Sequence, residues 1–232
     1  MTAPPKKSYR EIAPMPPEGA IVLPSLFEPS VGAGPLEIDV GFGRGMSVFE
    51  RAARAPDSRI VGIEIKRKWA TRVEARRQRR GLAHVRIFAA EVLDFFRRSE
   101  PEGAVSKIFV QFPDPWWKKR HQKRRVVSDA FLDAAAELLS DGGALFVQTD
   151  VEERFVDYRD LIATHAAFAP PESVDANPFG AISNRERRAI DDGLPVYRLV
   201  AHRRRRGEGA HRRPEQRDQE EDRSQRGEHD QR

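Results

Sequence analysis

The chain has 232 residues, with 41 Lys and Arg against 36 Asp and Glu, no cysteine and a mean hydropathy of −0.65. Disulfide scaffolds and thiolate zinc sites are therefore excluded. No stretch approaches the roughly 18 consecutive apolar residues of a membrane span, and prolines stand near the start, where a signal peptide needs an apolar core. The composition indicates a globular domain with a sizeable core, and we expect it in the reducing cytoplasm.

Both ends of the chain differ in composition from the middle. Residues 1–35 hold eight of the 17 prolines, so we predict a loosely ordered leader. Residues 203–232 hold 10 basic and 8 acidic side chains and almost no apolar ones, which predicts a disordered, charged tail. The folded domain is then expected over residues 36–202.

Short apolar runs alternate with helix-length segments between these ends. The runs are LEIDVG, RIVGIEI, HVRIFAA, KIFVQF and GALFVQT, and the helical segments begin near Gly45, Lys66, Glu91, Val126 and Val151. Strands that alternate with helices are typical of an α/β fold with a parallel sheet covered on both faces. A last run, PVYRLVA at 195–201, is predicted to return as an edge strand.

The first strand-to-helix junction contains a glycine loop, with Gly41, Gly43 and Gly45 directly after Asp39 and Val40. Glycines here let a ligand approach the backbone, although they also occur for tight strand–helix packing alone. The spacing G-x-G-x-G and the upstream carboxylate favour S-adenosylmethionine over NAD. Asp39 would repel a pyrophosphate but attract the aminium group of a methionine moiety.

Two more acids follow the next two predicted strands. Glu64 ends the second strand and could accept hydrogen bonds from both ribose hydroxyls of a nucleotide. Glu91 opens a helix after the third strand, where it is either a helix N-terminal charge or a contact to an adenine end. Carboxyl ends of parallel strands meet at one edge of the sheet, so all three acids are expected there.

The fourth strand runs into the sequence FPDPWWK, in which Pro113 and Pro115 hold Asp114 on a stiff, extended segment. An ordinary turn with packed tryptophans would also suit these residues. The segment continues, however, into the octet KKRHQKRR at 118–125, which holds six basic residues and no acid. Without this octet, residues 1–202 contain 25 basic and 28 acidic residues. A fixed acceptor, aromatics and concentrated cations indicate a nucleobase site beside a phosphate clamp.

At this point the sequence resembles a known family. LEIDVGFGRG, VGIEI, FVQFPDPWWKKRHQKRR, LFVQTD and ISNRERR, in this order, are similar to motifs of the bacterial tRNA (guanine-N7)-methyltransferases. The resemblance covers about residues 36–202. It implies a class I, Rossmann-like methyltransferase fold with a mostly parallel seven-stranded sheet, S-adenosylmethionine as donor, and a guanosine in the variable loop of tRNA, at position 46, as acceptor.

The resemblance also implies roles for individual residues. With the loop glycines Gly41, Gly43 and Gly45, the donor would contact Asp39, Glu64, Glu91 and Asp114, and Asp114 would also be the catalytic acid. Substrate contacts would come from Lys118, Asp150, Ser183, Asn184, Arg185 and Glu186. The RNA would lie on Arg120, His121, Gln122, Lys123, Arg124 and Arg125. No metal and no membrane are implied, and the protein would be a monomer or a homodimer.

Three positions depart from the usual family pattern. Asp39 stands where Glu is usual, Glu91 where Asp is usual, and Ser183 where Thr is usual. Each change keeps the charge or hydroxyl and moves it by about one carbon, so the affinity rather than the activity is in question.

Two alternatives stay open. An NAD-dependent oxidoreductase would explain the glycine loop and Glu64, but neither Asp39 nor the basic loop. A noncatalytic RNA-binding module would need the cations but no cofactor pocket. Residues 66–80 hold eight basic residues and one acid, Glu74, which we interpret as a solvated helix surface.

Overall fold

The structure, a computed structural model, describes residues 8–113 and 125–207. The helices are α1 (Tyr9–Ile12), α2 (Met46–Arg54), α3 (Arg67–Arg79), α4 (Val92–Arg97), α5 (Asp129–Leu138), α6 (Glu152–Thr164) and α7 (Asn184–Asp191). The strands are β1 (Ile21–Val22), β2 (Leu36–Val40), β3 (Arg59–Ile63), β4 (Val85–Phe88), β5 (Ser99–Glu100), β6 (Val105–Gln111), β7 (Leu139–Thr149), β8 (Glu172–Ser173) and β9 (Tyr197–His202). Two short 3₁₀ helices, Leu23–Leu26 and Pro29–Val31, precede β2.

Seven of the described strands form one sheet in the order β4-β3-β2-β6-β7-β9-β8. The first five run parallel, and β9 runs antiparallel to β7. This confirms the predicted mostly parallel seven-stranded α/β sheet. The prediction of an edge strand at 195–201 is wrong, because the two-residue strand β8 pairs with β9 on its outer side.

Helices cover both faces of the sheet, and neighbouring residues of each strand serve opposite faces. Ile60 packs with Val48, Phe49, Ala70 and Val73 of α2 and α3. The next residue of β3, Val61, belongs instead to the larger cluster with α4, α5 and α6. This alternation explains why the central strands read as continuous apolar runs.

Four of the five predicted helix starts are N-caps in the structure, namely Gly45, Lys66, Glu91 and Val151. The fifth helix, α5, begins at Asp129, slightly later than expected from Val126. Its cap is Ser128, whose side chain accepts a hydrogen bond from the Phe131 amide. A serine hydroxyl that satisfies a free helix amide sets the start of this helix.

Residues 8–35 differ from the loosely ordered leader that the prolines predicted. Ile21 and Leu23 are fully buried, and β1 pairs with β5 in a separate two-stranded sheet. Prolines prevent long helices and central strands, but they do not prevent apolar side chains between them from packing. Most of the predicted tail, residues 208–232, lies outside the described residues.

A proline-rich strap, residues 14–19, crosses the ends of β4 and α4. The Ala89 amide donates to the Pro14 carbonyl oxygen at 2.6 Å. Arg98, at the end of α4, donates through Nε to the Gly19 carbonyl oxygen at 2.8 Å and through Nη2 to that of Pro17. The strap is thus bonded to the domain at both of its ends.

Candidate active site

The predicted acids lie where parallel strands end. Asp39 belongs to β2, Glu64 directly follows β3, Glu91 follows β4, and Asp150 directly follows β7. In open α/β sheets ligands bind at this carboxyl edge.

The glycine loop, residues 41–45, is open at its tip and anchored in the middle. Gly41 and Gly43 have φ angles of 72° and 55°, and a Cβ at either position would meet no atom within 4 Å. Between them Phe42 is buried against β3, where a Cβ on Gly62 would lie 2.8 Å from Phe42 Cδ1. The loop therefore exposes backbone to a ligand while one side chain holds it in the core.

Glu64, which was predicted to accept hydrogen bonds from ribose hydroxyls, is buried and bonds to the glycine loop. Its Oε2 accepts the Gly43 amide at 2.9 Å, and its Oε1 accepts the Lys66 amide at 2.8 Å. The carboxylate thus fixes the glycine loop against the start of α3. Each oxygen keeps a lone pair that can accept a further hydrogen bond.

Asp39 is a buried carboxylate with one unused oxygen. Its Oδ2 accepts the Ser47 hydroxyl at 2.6 Å, whereas Oδ1 has no hydrogen-bond partner among the described residues. Burial raises the pKa of Asp39 to about 7, the Ser47 hydrogen bond opposes this rise, and the negative charge of Glu64 adds to it. A bound cation would supply the compensation that the described residues leave out.

Glu37, two residues earlier on the same face of β2, is instead bonded to two cationic side chains. Its carboxylate accepts two hydrogen bonds from Arg51, at 2.6 and 2.7 Å, and one from Lys107 Nζ at 3.0 Å. Burial alone would raise the pKa of Glu37, but these two cations hold it below its ordinary value. Glu37 is therefore a structural ion pair, which sequence reasoning missed because Lys107 lies 70 positions away.

Beside the glycine-loop side, the strap borders an open cavity of about 680 Å³. It is lined by Met15, Pro16, Pro17, Glu18, Gly19, Ile65, Arg67, Ala89, Ala90, Glu91, Asp94 and Arg98. Glu91 is exposed here and accepts the Asp94 amide at 2.8 Å as the N-cap of α4. Both expectations for Glu91, a helix-terminal charge and a position beside a ligand space, are compatible with this geometry.

On the β6–β7 side a buried polar network holds the start of α7. Gln148 donates to Gln111 at 2.8 Å and to Glu186 at 3.0 Å, and Arg198 donates to the other Glu186 oxygen at 2.8 Å. Ser183 caps α7 by accepting the Glu186 amide at 3.1 Å. The Glu186 side chain is only 3% exposed, so its observed role is to fix the turn at 183–186.

The same turn reaches Asp150. Arg185 donates to Asp150 Oδ2 through Nε at 2.9 Å and also through Nη2. Glu50 of α2 accepts the Ile182 amide at 2.9 Å and thereby ties the turn to the glycine-loop side. The structure thus brings Asp150 and Arg185 into contact, with Ser183 and Asn184 adjacent in the chain.

The chain leaves β6 through an unusual backbone conformation. Phe112 has a φ of 50°, and its amide donates to the Gln148 carbonyl oxygen at 2.8 Å. A non-glycine residue in this region is strained and persists only when its surroundings hold it. The predicted residues Asp114, Lys118, Arg120, His121, Gln122, Lys123 and Arg124 follow directly and lie outside the described residues.

Arg125, the last residue of the basic octet, is described. Its Nη1 donates to Asp157 of α6 at 3.3 Å, and the side chain is 19% exposed. Asp157 also accepts from Arg154. The last residue of the octet is therefore bonded to α6.

Residues 33–199 match a family model described as "Putative methyltransferase". The tRNA (guanine-N(7)-)-methyltransferase of Synechococcus sp. (strain JA-3-3Ab) is 37% identical over 172 residues, which cover 73% of each chain. The chain belongs to the tRNA (guanine-N7)-methyltransferase family. Another protein of that name, from Myxococcus xanthus (strain DK1622), is 33% identical over 72% of this chain and 82% of its own.

Solved structures agree on the fold. The 16S rRNA (adenine(1408)-N(1))-methyltransferase from Catenulisporales acidiphilia, solved with its cosubstrate SAM, matches with a TM-score of 0.52 at 16% identity. The match covers 79% of this chain and 92% of that one. The expected methyltransferase fold of this tRNA (guanine-N7)-methyltransferase family member is thus confirmed.

Among the described residues, the structure contains no helix with the length and apolar character needed to cross a lipid bilayer.

Proposed function

We propose that the protein transfers a methyl group from S-adenosylmethionine to N7 of a guanosine in the variable loop of tRNA. The observation that carries this proposal is the 37% identity, over 73% of each chain, to a relative named for this reaction. The geometry of the glycine-loop side supports S-adenosylmethionine as the donor, and the sequence of the basic octet supports RNA as the acceptor.

The donor-side residues fit a cationic nucleoside. S-adenosylmethionine, when bound, supplies an electrophilic methyl group on a positively charged sulfur and also carries an aminium group. Asp39 Oδ1 is buried and has no partner within residues 8–113 and 125–207, so an ammonium donor would restore its hydrogen bonding. Glu64 and the strap-lined cavity that contains Glu91 suit the ribose and the adenine. An NAD pyrophosphate is disfavoured, because Asp39 would repel it.

The acceptor atom needs orientation rather than deprotonation. Guanine N7 presents an in-plane lone pair and carries no proton, so a general base is unnecessary. Holding the lone pair in line with the methyl group makes the step effectively intramolecular, which is worth up to about 7–11 kcal/mol in well-oriented systems. The residues that hold the base therefore set the rate.

Asp114 and Asp150 are the proposed acceptors for the guanine N1–H and N2–H donors. Their negative charge would stabilise the positive charge that develops on the purine as the methyl group arrives. Adenine lacks this pair of donors, so the same contacts select guanine. Asp150 is oriented by Arg185, and the turn at 183–186, which Ser183 caps, would border the substrate. The six basic residues of the octet, Lys118, Lys119, Arg120, Lys123, Arg124 and Arg125, would bind phosphates.

Product mapping tests the proposal. The full-length protein is incubated with labelled S-adenosylmethionine and unmodified tRNA, and the modified nucleotide is located by mass spectrometry of nuclease digests. We expect one N7-methylguanosine in the variable loop and no product on a matched tRNA with 7-deazaguanosine at that position. Methylation at another atom would contradict the proposal, and donor binding without product would favour a noncatalytic RNA-binding module.

The cellular setting is part of the proposal. With tRNA as its substrate, we expect the protein to act in the cytoplasm. That the protein acts as a monomer or a homodimer stays a prediction.

A further inference from the structure

The outer side of α3 carries a basic stripe, which we define as Lys68, Arg72, Arg76, Arg79 and Arg80. Residues 68, 72, 76 and 80 are four positions apart and share one side of the helix, and they span about 18 Å along its axis. Four of the five side chains are exposed and Arg76 is partly buried. Ala70 and Val73 on the inner side are fully buried and hold the helix on the sheet.

The stripe is not neutralised by the protein. Within residues 8–113 and 125–207, no acidic side chain forms a salt bridge with any of its five members, whereas Arg77 on the same helix pairs with Glu74 at 2.8 Å. Like charges at this spacing repel one another. Burial lowers the pKa of Arg76, and the charges of Arg80 and Arg79 lower it further. An external anion would relieve this repulsion.

Aromatic rings hold the cations of the stripe in place. Arg80 and Arg76 lie over the Phe49 ring, 4.5 and 5.0 Å from its centroid. Arg72 and Lys68 lie 5.4 and 5.8 Å from the Trp69 centroid. Guanidinium groups already ordered on a ring lose less freedom when a phosphate binds.

The stripe is bonded to the glycine loop. Arg76 Nη2 donates to the Arg44 carbonyl oxygen, and the Arg44 guanidinium lies 5.2 Å from the Trp69 centroid. Glu64 bonds to the amide of Lys66, the N-cap of α3. A polyanion on the stripe would therefore run directly from the candidate active site along one face of the domain.

We propose that the basic stripe binds the sugar-phosphate backbone of the tRNA substrate, as a second contact besides the octet at 118–125. This inference rests on the proposed function for the identity of the RNA. Point charges in a row suit phosphates, which carry no sequence information. An anionic membrane is disfavoured because a surface-binding helix needs an apolar face for lipid, and the apolar side of α3 is buried in the core.

Two matched double variants test the stripe. Arg72→Ala with Arg79→Ala removes two exposed charges from α3. Arg97→Ala with Arg159→Ala removes two exposed charges from α4 and α6, which pack on the other face of the sheet. The affinity of each full-length protein for unmodified tRNA is measured by filter binding between about 50 and 200 mM salt. Donor binding is titrated separately by calorimetry.

We expect the α3 pair to lower the slope of log affinity against log salt by about 1.4–1.8, at 0.7–0.9 per lost phosphate contact. The control pair should leave the slope unchanged, and both should bind the donor normally. Arg72→Lys with Arg79→Lys should restore the slope, which separates lost charge from misfolding. An unchanged slope in the α3 pair, an equal loss in both pairs, or binding of phosphatidylglycerol vesicles in place of tRNA would overturn the proposal.

The same measurements separate the two proposals. Suppose that the α3 pair has a smaller salt slope than the unaltered protein, and that the unaltered protein forms no N7-methylguanosine. This result would refute the proposed reaction and keep the stripe as an RNA-binding surface. Product formation with unchanged slopes would refute the stripe alone.

Discussion

The glycine-loop side and the β6–β7 side of the candidate site treat buried carboxylates in opposite ways. On the glycine-loop side, Asp39 keeps an oxygen to which no described residue bonds, and a Cβ at Gly41 or Gly43 would meet no atom within 4 Å. On the β6–β7 side, Glu186 is paired with Arg198 and Asp150 with Arg185. Among the described residues, the first side lacks a cation for Asp39, which a ligand can bring, whereas the second is a frame of paired carboxylates that holds the turn at 183–186.

The largest expected effect concerns Asp114, which follows β6 in the sequence. Asp114→Asn keeps the shape of the side chain and removes its charge, so it should slow methyl transfer by about 10²–10³-fold, the usual cost of losing one such electrostatic contact. Single-turnover methylation at saturating donor and tRNA measures this step. A rate near that of the unaltered protein would show that the charge of Asp114 is not used.

Removing one partner of the frame should cost stability rather than donor affinity. Glu186→Ala leaves Arg198 buried without its carboxylate and should lower the free energy of unfolding by about 3–5 kcal/mol. Urea denaturation measures the loss, and Glu152→Ala on the exposed side of α6 is the control. If the two variants were equally stable, the buried network would not hold α7.

The raised pKa of Asp39 makes donor affinity depend on pH. The aminium group should bind the ionised carboxylate, so the Kd for S-adenosylmethionine should rise up to about tenfold for each pH unit below 7. Calorimetry between pH 5 and 7.5 keeps a typical α-amino group mostly charged, since its pKa is about 7.7–8.0. Asp39→Asn should bind more weakly at pH 7.5 and show a flat profile, and a profile that stayed steep would assign the titration to another group.

The same pKa predicts a stability change in the unliganded protein. Because the folded pKa, about 7, exceeds the ordinary value of 3.8, the folded state binds this proton more tightly, and its stabilising effect is lost as the pH rises toward and through 7. Asp39→Asn removes this dependence on pH. The free energy of unfolding of the variant minus that of the unaltered protein should therefore be larger at pH 8 than at pH 5, by on the order of 2 kcal/mol. Thermal or urea unfolding at both values checks the sign.

The smallest effect is expected at the strap. Arg98→Ala removes hydrogen bonds to the Pro17 and Gly19 carbonyl oxygens and should raise the donor Kd by about threefold to tenfold. Arg97→Ala, an exposed neighbour on the same helix, is the matched control. Equal affinities in calorimetric titrations would mean that the strap does not border the donor.

Much of the fold was predictable because its signals are local. Strands and helices alternate at their own periods, and four helix N-caps stand at the predicted positions. The acids after successive strands could also be placed at one edge, since parallel strands end together. The strap and the burial of Ile21 were missed, because proline content describes the backbone and not what the intervening side chains contact.

The parts of the site that sequence did not predict depend on long-range pairing. Gln111 and Gln148 are register partners of β6 and β7, and Arg198 stands opposite Gln148 on β9. No local pattern links these three positions, so the network that buries Glu186 was invisible before the strands were aligned. For the same reason Glu186 was expected at the substrate, whereas its carboxylate is already bonded within the domain.

The fit of Phe42 over Gly62 has a consequence for how the family can vary. A Cβ at position 62 would lie 2.8 Å from Phe42 Cδ1 and 3.0 Å from Ile87 Cδ1. The Phe42 ring therefore packs in the space that a side chain at position 62 would need. Relatives with a larger residue at 62 should compensate with a smaller one at 42 or 87. The glycine loop, β3 and β4 are thereby expected to vary in concert, with side-chain volume exchanged among positions 42, 62 and 87 while the path of the backbone stays the same.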